Sequence, residues 1–235
     1  MNKDMIHEPR FFENVRSLVE WGAETYGNET IYSFRPNPRA DVVKKSFVEF
    51  RDDVRALASE LLSMGCAGRH CVVIGKLSYE WATLYYATLS IGGVLIPLDR
   101  DWQPEDLAAT VERAEAKFLF CDADIKEKAT FIEGKVSFAT PTVYLGGKDD
   151  DLTIASLIEK GRAKFEADPN AYFNAPIDPH VMSLLVFTSG TTGKGKGVML
   201  SQNAILSDLS SVIPYMDFGK KTVGVLPQRN SKFRG

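Results

Sequence analysis

Apolar residues recur at helix and strand spacings in turn along the first part of the chain. The first helical stripe lies in residues 47–62, where apolar residues follow one another at spacings of three, four and one. Ser46 and Glu49 predict a capping box at its start, in which each side chain satisfies a free backbone amide. Gly65 is the predicted stop, because glycine adopts the left-handed conformation without a Cβ clash. An apolar run at 71–74 then predicts a short buried strand.

The alternation of helix and strand patterns continues as far as residue 160. Ser78 predicts the N-cap of a second helix, which runs to about residue 91 and ends at Gly92 and Gly93. Further predicted elements are a strand at 94–96, a helix from Pro104 to Lys117, strands at 118–120 and 142–145, and a helix at 153–160. Because such alternation joins parallel strands through crossover helices, the predicted fold class is α/β, with a mostly parallel sheet flanked by helices.

A proline-containing segment precedes the most apolar strand pattern of the chain. Residues 164–179 hold three prolines, and we predict a loop that crosses the surface there. This segment leads into residues 181–187, whose sequence VMSLLVF predicts a buried strand.

Composition and charge exclude several classes of protein. The chain has 235 residues, of which 44% are hydrophobic and 25% are charged, as is usual for a globular protein. The net charge of −3 gives no support to nucleic-acid binding, which favours a basic excess. No apolar run approaches the roughly 20 residues of a membrane span, and the N-terminus lacks the apolar core of a secretory signal. Three cysteines without metal-ligand spacing argue against a disulfide framework and favour a reducing cytoplasm.

The segment after the apolar strand carries the candidate chemistry. Residues 188–197, TSGTTGKGKG, contain four glycines, four hydroxyl residues, two lysines and no acidic residue. Glycines let successive backbone amides point into one concavity that binds anions. Hydroxyls add donors or reach a metal ion, and a lysine supplies a compact positive charge for phosphate oxygens. Since α/β sheets bind ligands at the carboxyl ends of their strands, nucleotide phosphate is the best-matched ligand.

Two other interpretations of this glycine-rich segment fit it less well. A merely flexible turn does not require this combination of hydroxyls and lysines. A P-loop is matched in part by Gly190, Gly195 and Lys196, but the next position requires Ser or Thr and holds Gly197. A P-loop also opens directly into a helix, whereas residues 198–200 predict a strand and the first helix cap is Ser201.

Residues 187–205, FTSGTTGKGKGVMLSQNAI, closely resemble the phosphate-binding signature of the adenylate-forming (AMP-binding) superfamily. This group includes acyl-CoA synthetases, peptide-synthetase adenylation domains and luciferases. The usual signature has proline where this chain has Gly195, which loosens the loop. The resemblance extends upstream to KSFVEFRDDVRALASELLSMG, YEWATLYYATLSIGGVLIPLD and EDLAATVERAEAKFLFCD. The PLD sequence that ends at Asp99 is similar to bacterial long-chain fatty-acyl-CoA synthetases.

The resemblance implies a reaction in two steps. A carboxylate, which is a fatty acid in the fatty-acyl-CoA synthetases, attacks the α-phosphorus of ATP to give an acyl-adenylate and pyrophosphate. A thiol, usually coenzyme A, then attacks the activated acyl group; the sequence does not decide the acid or whether the acceptor is coenzyme A or a carrier-protein thiol. Thr188 would lie near a Mg²⁺ ion, and Lys196 would be catalytic by stabilising charge as pyrophosphate leaves. The β- and γ-phosphates would be bound by Thr188, Ser189, Gly190, Thr191, Thr192, Gly193 and Lys196.

The same resemblance implies that parts of the enzyme are missing. Residues 1–227 correspond to the N-terminal portion of an adenylation domain, and residues 222–227 fit its next strand. Residues 228–235 are an atypical tail, as a frameshift or a truncated reading frame would leave. The family's segments for adenine and ribose and its C-terminal catalytic lysine are not found. We therefore expect the chain alone to be inactive; the alternatives are a non-catalytic nucleotide-binding module, a pseudogene product or, less well matched, a P-loop phosphotransferase.

Other polar and aromatic residues are better explained by structure than by catalysis. His7, His70 and His180 lie far apart without metal-ligand spacing. The acidic residues 149–151 are typical of a solvated turn. Trp81, Tyr85 and Tyr86 could line an acyl pocket, but aromatic residues at helical spacing usually belong to a core. The sequence does not predict an oligomeric state.

Overall fold

The computed structural model describes residues 6–36, 39–148, 150–188 and 196–216. In these residues the helices are α1 (Val15–Tyr26), α2 (Phe47–Met64), α3 (Tyr79–Leu89), α4 (Pro104–Arg113), α5 (Lys126–Glu133), α6 (Ile154–Ala167), α7 (Pro169–Phe173) and α8 (Gln202–Val212). The strands are β1 (Thr30–Phe34), β2 (Val43–Ser46), β3 (His70–Ile74), β4 (Val94–Leu98), β5 (Phe118–Cys121), β6 (Val143–Tyr144), β7 (Met182–Thr188) and β8 (Lys196–Ser201).

Six of the strands form one sheet in the order β6-β5-β3-β4-β7-β8. The pairs β6–β5, β5–β3, β3–β4 and β4–β7 are parallel, and the β7–β8 pair is antiparallel. The remaining strands, β1 and β2, form a separate antiparallel pair. The predicted fold class, α/β with a mostly parallel sheet flanked by helices, is therefore confirmed.

Helices cover both faces of the six-stranded sheet, because strand side chains alternate between the faces. Cys71 and Val73 of β3 lie in a core with α1, α2, α3 and α6. Val72 and Ile74 of the same strand lie in a second core with α4 and α5. The strand order reverses between β3 and β4, because β4 lies on one side of β3 and β5 lies on the other. Since these strands are parallel, their carboxyl ends share one edge of the sheet. Ligands of α/β proteins usually bind at this edge, next to such a reversal.

Most of the helix boundaries predicted from the sequence are confirmed by local hydrogen bonds. The Ser46 and Glu49 side chains form the expected reciprocal capping box, and Gly65 follows α2 in the left-handed conformation with φ 84°. The Ser78 hydroxyl accepts a hydrogen bond from the Trp81 amide at the start of α3. These contacts involve residues close in sequence, which is why the pattern predicts them.

The prediction of a surface loop at 164–179 is wrong for its first half. Helix α6 continues to Ala167, and Pro169 then begins the short helix α7, where its missing amide has no helical partner to lose. Tyr172 of α7 is fully buried, so packing onto the core stabilises a helix where the prolines predicted a loop. The sequence analysis also assigned no element to α1 or to the β1–β2 pair. The expected strand at 222–227 lies outside the described residues.

Candidate phosphate-binding site

The glycine-rich segment joins the two strands of a hairpin. Strand β7 ends at Thr188, strand β8 begins at Lys196, and these two residues form the last pair of the antiparallel ladder. Opposite residues in such a ladder have Cα atoms about 5 Å apart. The structure therefore brings together the first hydroxyl and the second lysine of the segment. The predicted site residues between them, Ser189, Gly190, Thr191, Thr192 and Gly193, lie outside the described residues.

Thr188 and Lys196 are exposed to solvent at the end of the hairpin, as residues that bind a phosphate group have to be. The Thr188 hydroxyl donates a long hydrogen bond of 3.4 Å to the Lys196 carbonyl oxygen. Its two lone pairs are acceptors that could serve a hard cation such as Mg²⁺, which prefers oxygen ligands. Together the pair offers one oxygen ligand and one ammonium group at the same point of the sheet edge.

The geometry after the segment differs from that of a P-loop. Gly197 lies within β8, opposite Phe187 of β7, and not at the first turn of a helix. The next helix, α8, begins only at Gln202, where the Ser201 hydroxyl caps the Ala204 amide as predicted. A helix N-terminus facing the phosphates, on which a P-loop depends, is therefore not formed at this position.

The neighbouring strands contribute a charged cluster that the sequence analysis missed. Asp122, which directly follows β5, accepts hydrogen bonds from the Arg100 guanidinium and, at 2.9 Å, from the Lys76 amide. Asp124 lies 3.0 Å from Arg100 and 3.1 Å from the Lys76 ammonium group. The cluster joins the loops that follow β3, β4 and β5. The detectable signal was the acidic residue directly after a buried strand, a position at the ligand edge of a parallel sheet.

The pKa values of the two carboxyl groups in this cluster are shifted in opposite directions. Burial raises the pKa of Asp122 above its ordinary value despite the Lys76 amide and the Arg100 charge. Partial burial acts the same way on Asp124, but hydrogen bonds from Arg100 and Lys76 outweigh it and lower the pKa of Asp124. Because the cations are already paired with carboxylates, the cluster holds the loops in place and is not itself an anion site.

A buried glutamine attaches the far end of the hairpin to the helical layer. Gln202 is completely buried, its carbonyl oxygen accepts from the Val15 amide at 2.8 Å, and its amide group donates to the Leu89 carbonyl at 2.8 Å. These partners are the first residue of α1 and the last residue of α3, two helix ends that lack intrahelical partners. Gln202 therefore fixes the start of α8, and with it the end of β8.

His70 and the aromatic residues of α3, which the sequence analysis did not assign to a site, make backbone contacts or pack against other rings. The Nδ1 atom of His70 lies 2.6 Å from the Ala114 carbonyl oxygen. Trp81 stacks on Tyr85 with ring centroids 5.8 Å apart, and Tyr86 packs edge-on against Phe50. In the described part of the chain no group of three His, Cys, Asp or Glu side chains has metal-binding geometry. No helix among these residues combines the length and apolarity needed to cross a bilayer.

Comparison with known proteins defines the class of this chain. The sequence profile of the family described as AMP-binding enzyme matches residues 19–228, and the chain belongs to that family. The match contains the hairpin with Thr188 and Lys196. The resemblance stated from the sequence is thereby confirmed.

Individual relatives agree with the family. Over 173 residues the chain is 30% identical to the long-chain-fatty-acid–CoA ligase FadD15 of Mycobacterium bovis, covering 71% of this chain and 28% of that protein. It is 28% identical over 204 residues to the 3-methylmercaptopropionyl-CoA ligase of Ruegeria pomeroyi, covering 85% of this chain and 36% of the ligase. The crystal structure of VinN matches the fold with a TM-score of 0.67 at 19% identity, covering 87% of this chain and 47% of VinN. The chain thus spans about a third of the length of these two curated relatives.

Proposed function

We propose that this chain contributes the ATP-phosphate site of an AMP-forming acid–thiol ligase. In the first step a carboxylic acid attacks the α-phosphorus of ATP, forming an acyl-adenylate and releasing pyrophosphate. In the second step coenzyme A attacks the acyl carbon and releases AMP. The observation that carries the proposal is the pairing of Thr188 with Lys196 at the loop end of a hairpin that lies within the AMP-binding family match.

The proposed roles follow from the chemistry of each group. The Thr188 hydroxyl would hold Mg²⁺, which neutralises phosphate charge when it is bound. The exposed Lys196 ammonium would stabilise the negative charge that grows on the leaving pyrophosphate. The β- and γ-phosphates would be held by backbone amides and hydroxyls of Ser189, Gly190, Thr191, Thr192 and Gly193. Preorganised donors of this kind are commonly the largest single contribution to catalysis.

The acid and the acceptor are proposed from the relatives. FadD15 is named as a long-chain-fatty-acid–CoA ligase, and the Ruegeria protein as a 3-methylmercaptopropionyl-CoA ligase. Both names include CoA, and the acid differs between them. We propose a fatty acid as the substrate, and a cytoplasmic location in keeping with three buried cysteine thiols that form no disulfide.

The test is carboxylate-dependent exchange of pyrophosphate into ATP by the whole protein that contains this chain. Lys196→Ala should reduce the exchange rate roughly hundredfold, because removing one donor to developing charge costs about 3 kcal/mol. Its thermal unfolding should be unchanged, since the Lys196 side chain is exposed. Lys160→Ala, at another exposed lysine on α6, is the matched control and should retain full exchange.

Two outcomes would contradict the proposal. The first is full exchange activity in the Lys196→Ala protein, and the second is a loss of activity that merely follows unfolding. ATP binding without any exchange, for all acids from short to long chains, would favour a non-catalytic nucleotide-binding module.

A further inference from the structure

The loop end of the hairpin has no ladder pairing with β4. Strand β7 pairs with β4 through Leu95 and Leu184, whereas the ladder between β7 and β8 continues to Thr188 and Lys196. The last four residues of β7 therefore have only β8 as a ladder partner among the described strands. Side-chain packing supports this end of the hairpin, because Leu185 and Phe187 pack against the core that contains α4 and α5.

An aromatic residue and a glycine face each other in the ladder pair next to Thr188 and Lys196. Phe187 and Gly197 are directly opposite in the antiparallel ladder, so the Phe187 side chain and the side-chain position of Gly197 are on the same face of the sheet. A Cβ atom on Gly197 would lie 3.4 Å from Cε1 of Phe187 and 3.0 Å from Cδ1 of Leu185. The contact with Leu185 is tight and the contact with Phe187 is ordinary van der Waals packing, so the ring lies beside Gly197 as aromatic residues cover edge glycines.

A cation on a neighbouring helix covers the same ring. The guanidinium carbon of Arg113, the last residue of α4, lies 5.2 Å from the ring centroid of Phe187. This distance is within the range of an attractive cation–π contact. Helix α4 is itself held on the sheet by Leu107 and Val111, which are fully buried. The Phe187 ring thus connects the end of the hairpin to a rigid helix.

We propose that Phe187, Gly197 and Arg113 form a positioning group that fixes Thr188 and Lys196 for phosphate binding. Each of the two strand residues is bonded directly to one of the proposed ligands, Phe187 to Thr188 and Gly197 to Lys196. Donors bind a transferring phosphate group effectively only when their positions are held to a fraction of an ångström. The positioning group supplies this restraint without contacting the phosphate. The inference rests on the phosphate-binding function proposed above.

The test measures both the affinity for phosphate and the local stability of the hairpin end. The 235-residue chain is titrated with Mg²⁺ and inorganic pyrophosphate, followed by amide chemical shifts, and hydrogen exchange of the Lys196 and Gly197 amides is measured. Phe187→Leu retains an apolar side chain and removes the ring, and Arg113→Met removes the charge. Each should weaken pyrophosphate binding about three- to tenfold and should speed exchange at 196–197 by a similar factor. Phe187→Tyr keeps the ring and should retain the affinity of the unchanged chain.

Matched controls come from the same side of the sheet. Lys135→Met removes a cation that lies 5.9 Å from the Phe131 ring, and should leave pyrophosphate affinity unchanged. Gly197→Ala places a Cβ atom 3.0 Å from Cδ1 of Leu185 and should weaken binding, whereas Gly134→Ala meets only ordinary contacts at 3.4 Å or more and should not.

Lys196→Ala separates the two proposals. If Lys196→Ala does not weaken pyrophosphate binding, the phosphate site itself is wrong. If it does, but Phe187→Leu and Arg113→Met bind as tightly as the unchanged chain, the positioning group is overturned. Weaker binding by Arg113→Met with unchanged exchange at 196–197 would also overturn it, because Arg113 would then act on the phosphate directly.

Discussion

At the scale of single residues, Gly92 shows how closely two segments of backbone approach each other. Its φ of +71° is in the left-handed region, and an added Cβ would lie 2.5 Å from the Pro176 carbonyl oxygen. The sequence analysis placed the end of a helix at Gly92, and α3 ends slightly earlier, at Leu89 with Ser90 as its C-cap. The contact of Gly92 with Pro176 joins two distant segments of the chain. Glycine is therefore required here for two reasons, of which only one is local.

Gly92→Ala should destabilise the protein more than an ordinary surface substitution. The left-handed conformation costs an alanine about 1–2 kcal/mol, and relief of the contact with the Pro176 backbone adds to this. We expect a loss of about 2–3 kcal/mol in the free energy of unfolding, measured by urea denaturation. Gly146→Ala, where an added Cβ meets nothing within 4 Å, is the control and should stay within about 0.5 kcal/mol. Equal stability of the two variants would contradict the structure around Gly92.

At the scale of elements, one buried carboxylate joins four of them. Asp53 of α2 is 3% exposed, and it accepts hydrogen bonds from Lys45 of β2 at 2.9 Å, from the Tyr79 hydroxyl of α3 at 2.7 Å and from Arg162 of α6. Burying a charge is costly unless it is paired and hydrogen-bonded, as it is here. The contact between Asp53 and Arg162 spans 109 residues. No local pattern in the sequence indicates it.

Asp53→Ala should therefore weaken the packing of α2 against α3 and α6. Removing one partner of a buried ion pair typically costs about 3–5 kcal/mol. Lys45 and Arg162 keep side-chain exposures of 26% and 41%, so they can regain water, and we expect a smaller loss of about 2–3 kcal/mol in the free energy of unfolding. Asp52→Ala is the matched control, because Asp52 is 41% exposed and its pairs are worth under about 1 kcal/mol. A loss no larger than that of the control would show that the Asp53 cluster contributes little.

At the scale of the whole molecule, the residues proposed for phosphate binding lie together at one edge of the sheet. The hairpin lies at the carboxyl edge of the sheet, next to the loops that Asp122 and Arg100 hold together. By the family resemblance, contacts to adenine and ribose and the catalytic lysine come from segments whose sequence patterns are not found in residues 1–235. Phosphates bound at this edge alone remain in water, where each charge contact is weak.

We expect residues 1–235 alone to show no acyl-CoA ligase activity and only weak ATP binding. The measurements are titration calorimetry of the purified chain with Mg-ATP and a coenzyme A consumption assay with fatty acids of several lengths. A full-length AMP-forming acyl-CoA ligase is the positive control. Micromolar ATP affinity or clear turnover by residues 1–235 would contradict this expectation.

The sequence by itself determined the features that depend on neighbouring residues. Helix caps at Ser46, Ser78 and Ser201, the α/β alternation and the glycine-rich segment after an apolar strand all follow from spacing within a few residues. The sequence also singled out Thr188 and Lys196, which the structure pairs, and the roles of these two residues and of the loop residues stay predictions. The continuation of the chain after 196 as a strand excludes a P-loop, and the sequence indicated this too.

Only the tertiary structure decided the features that depend on residues far apart in the chain. Helix α7 exists where prolines predicted a loop, because Tyr172 is buried in the core. Gln202 binds the ends of two distant helices, and Arg113 covers the ring of Phe187 from another element. Each of these contacts is comparable in energy to a helix cap. Its partner, however, depends on how the helices pack on the whole sheet. Periodicity reports which face of an element is buried, and it carries no information about which residue lies opposite.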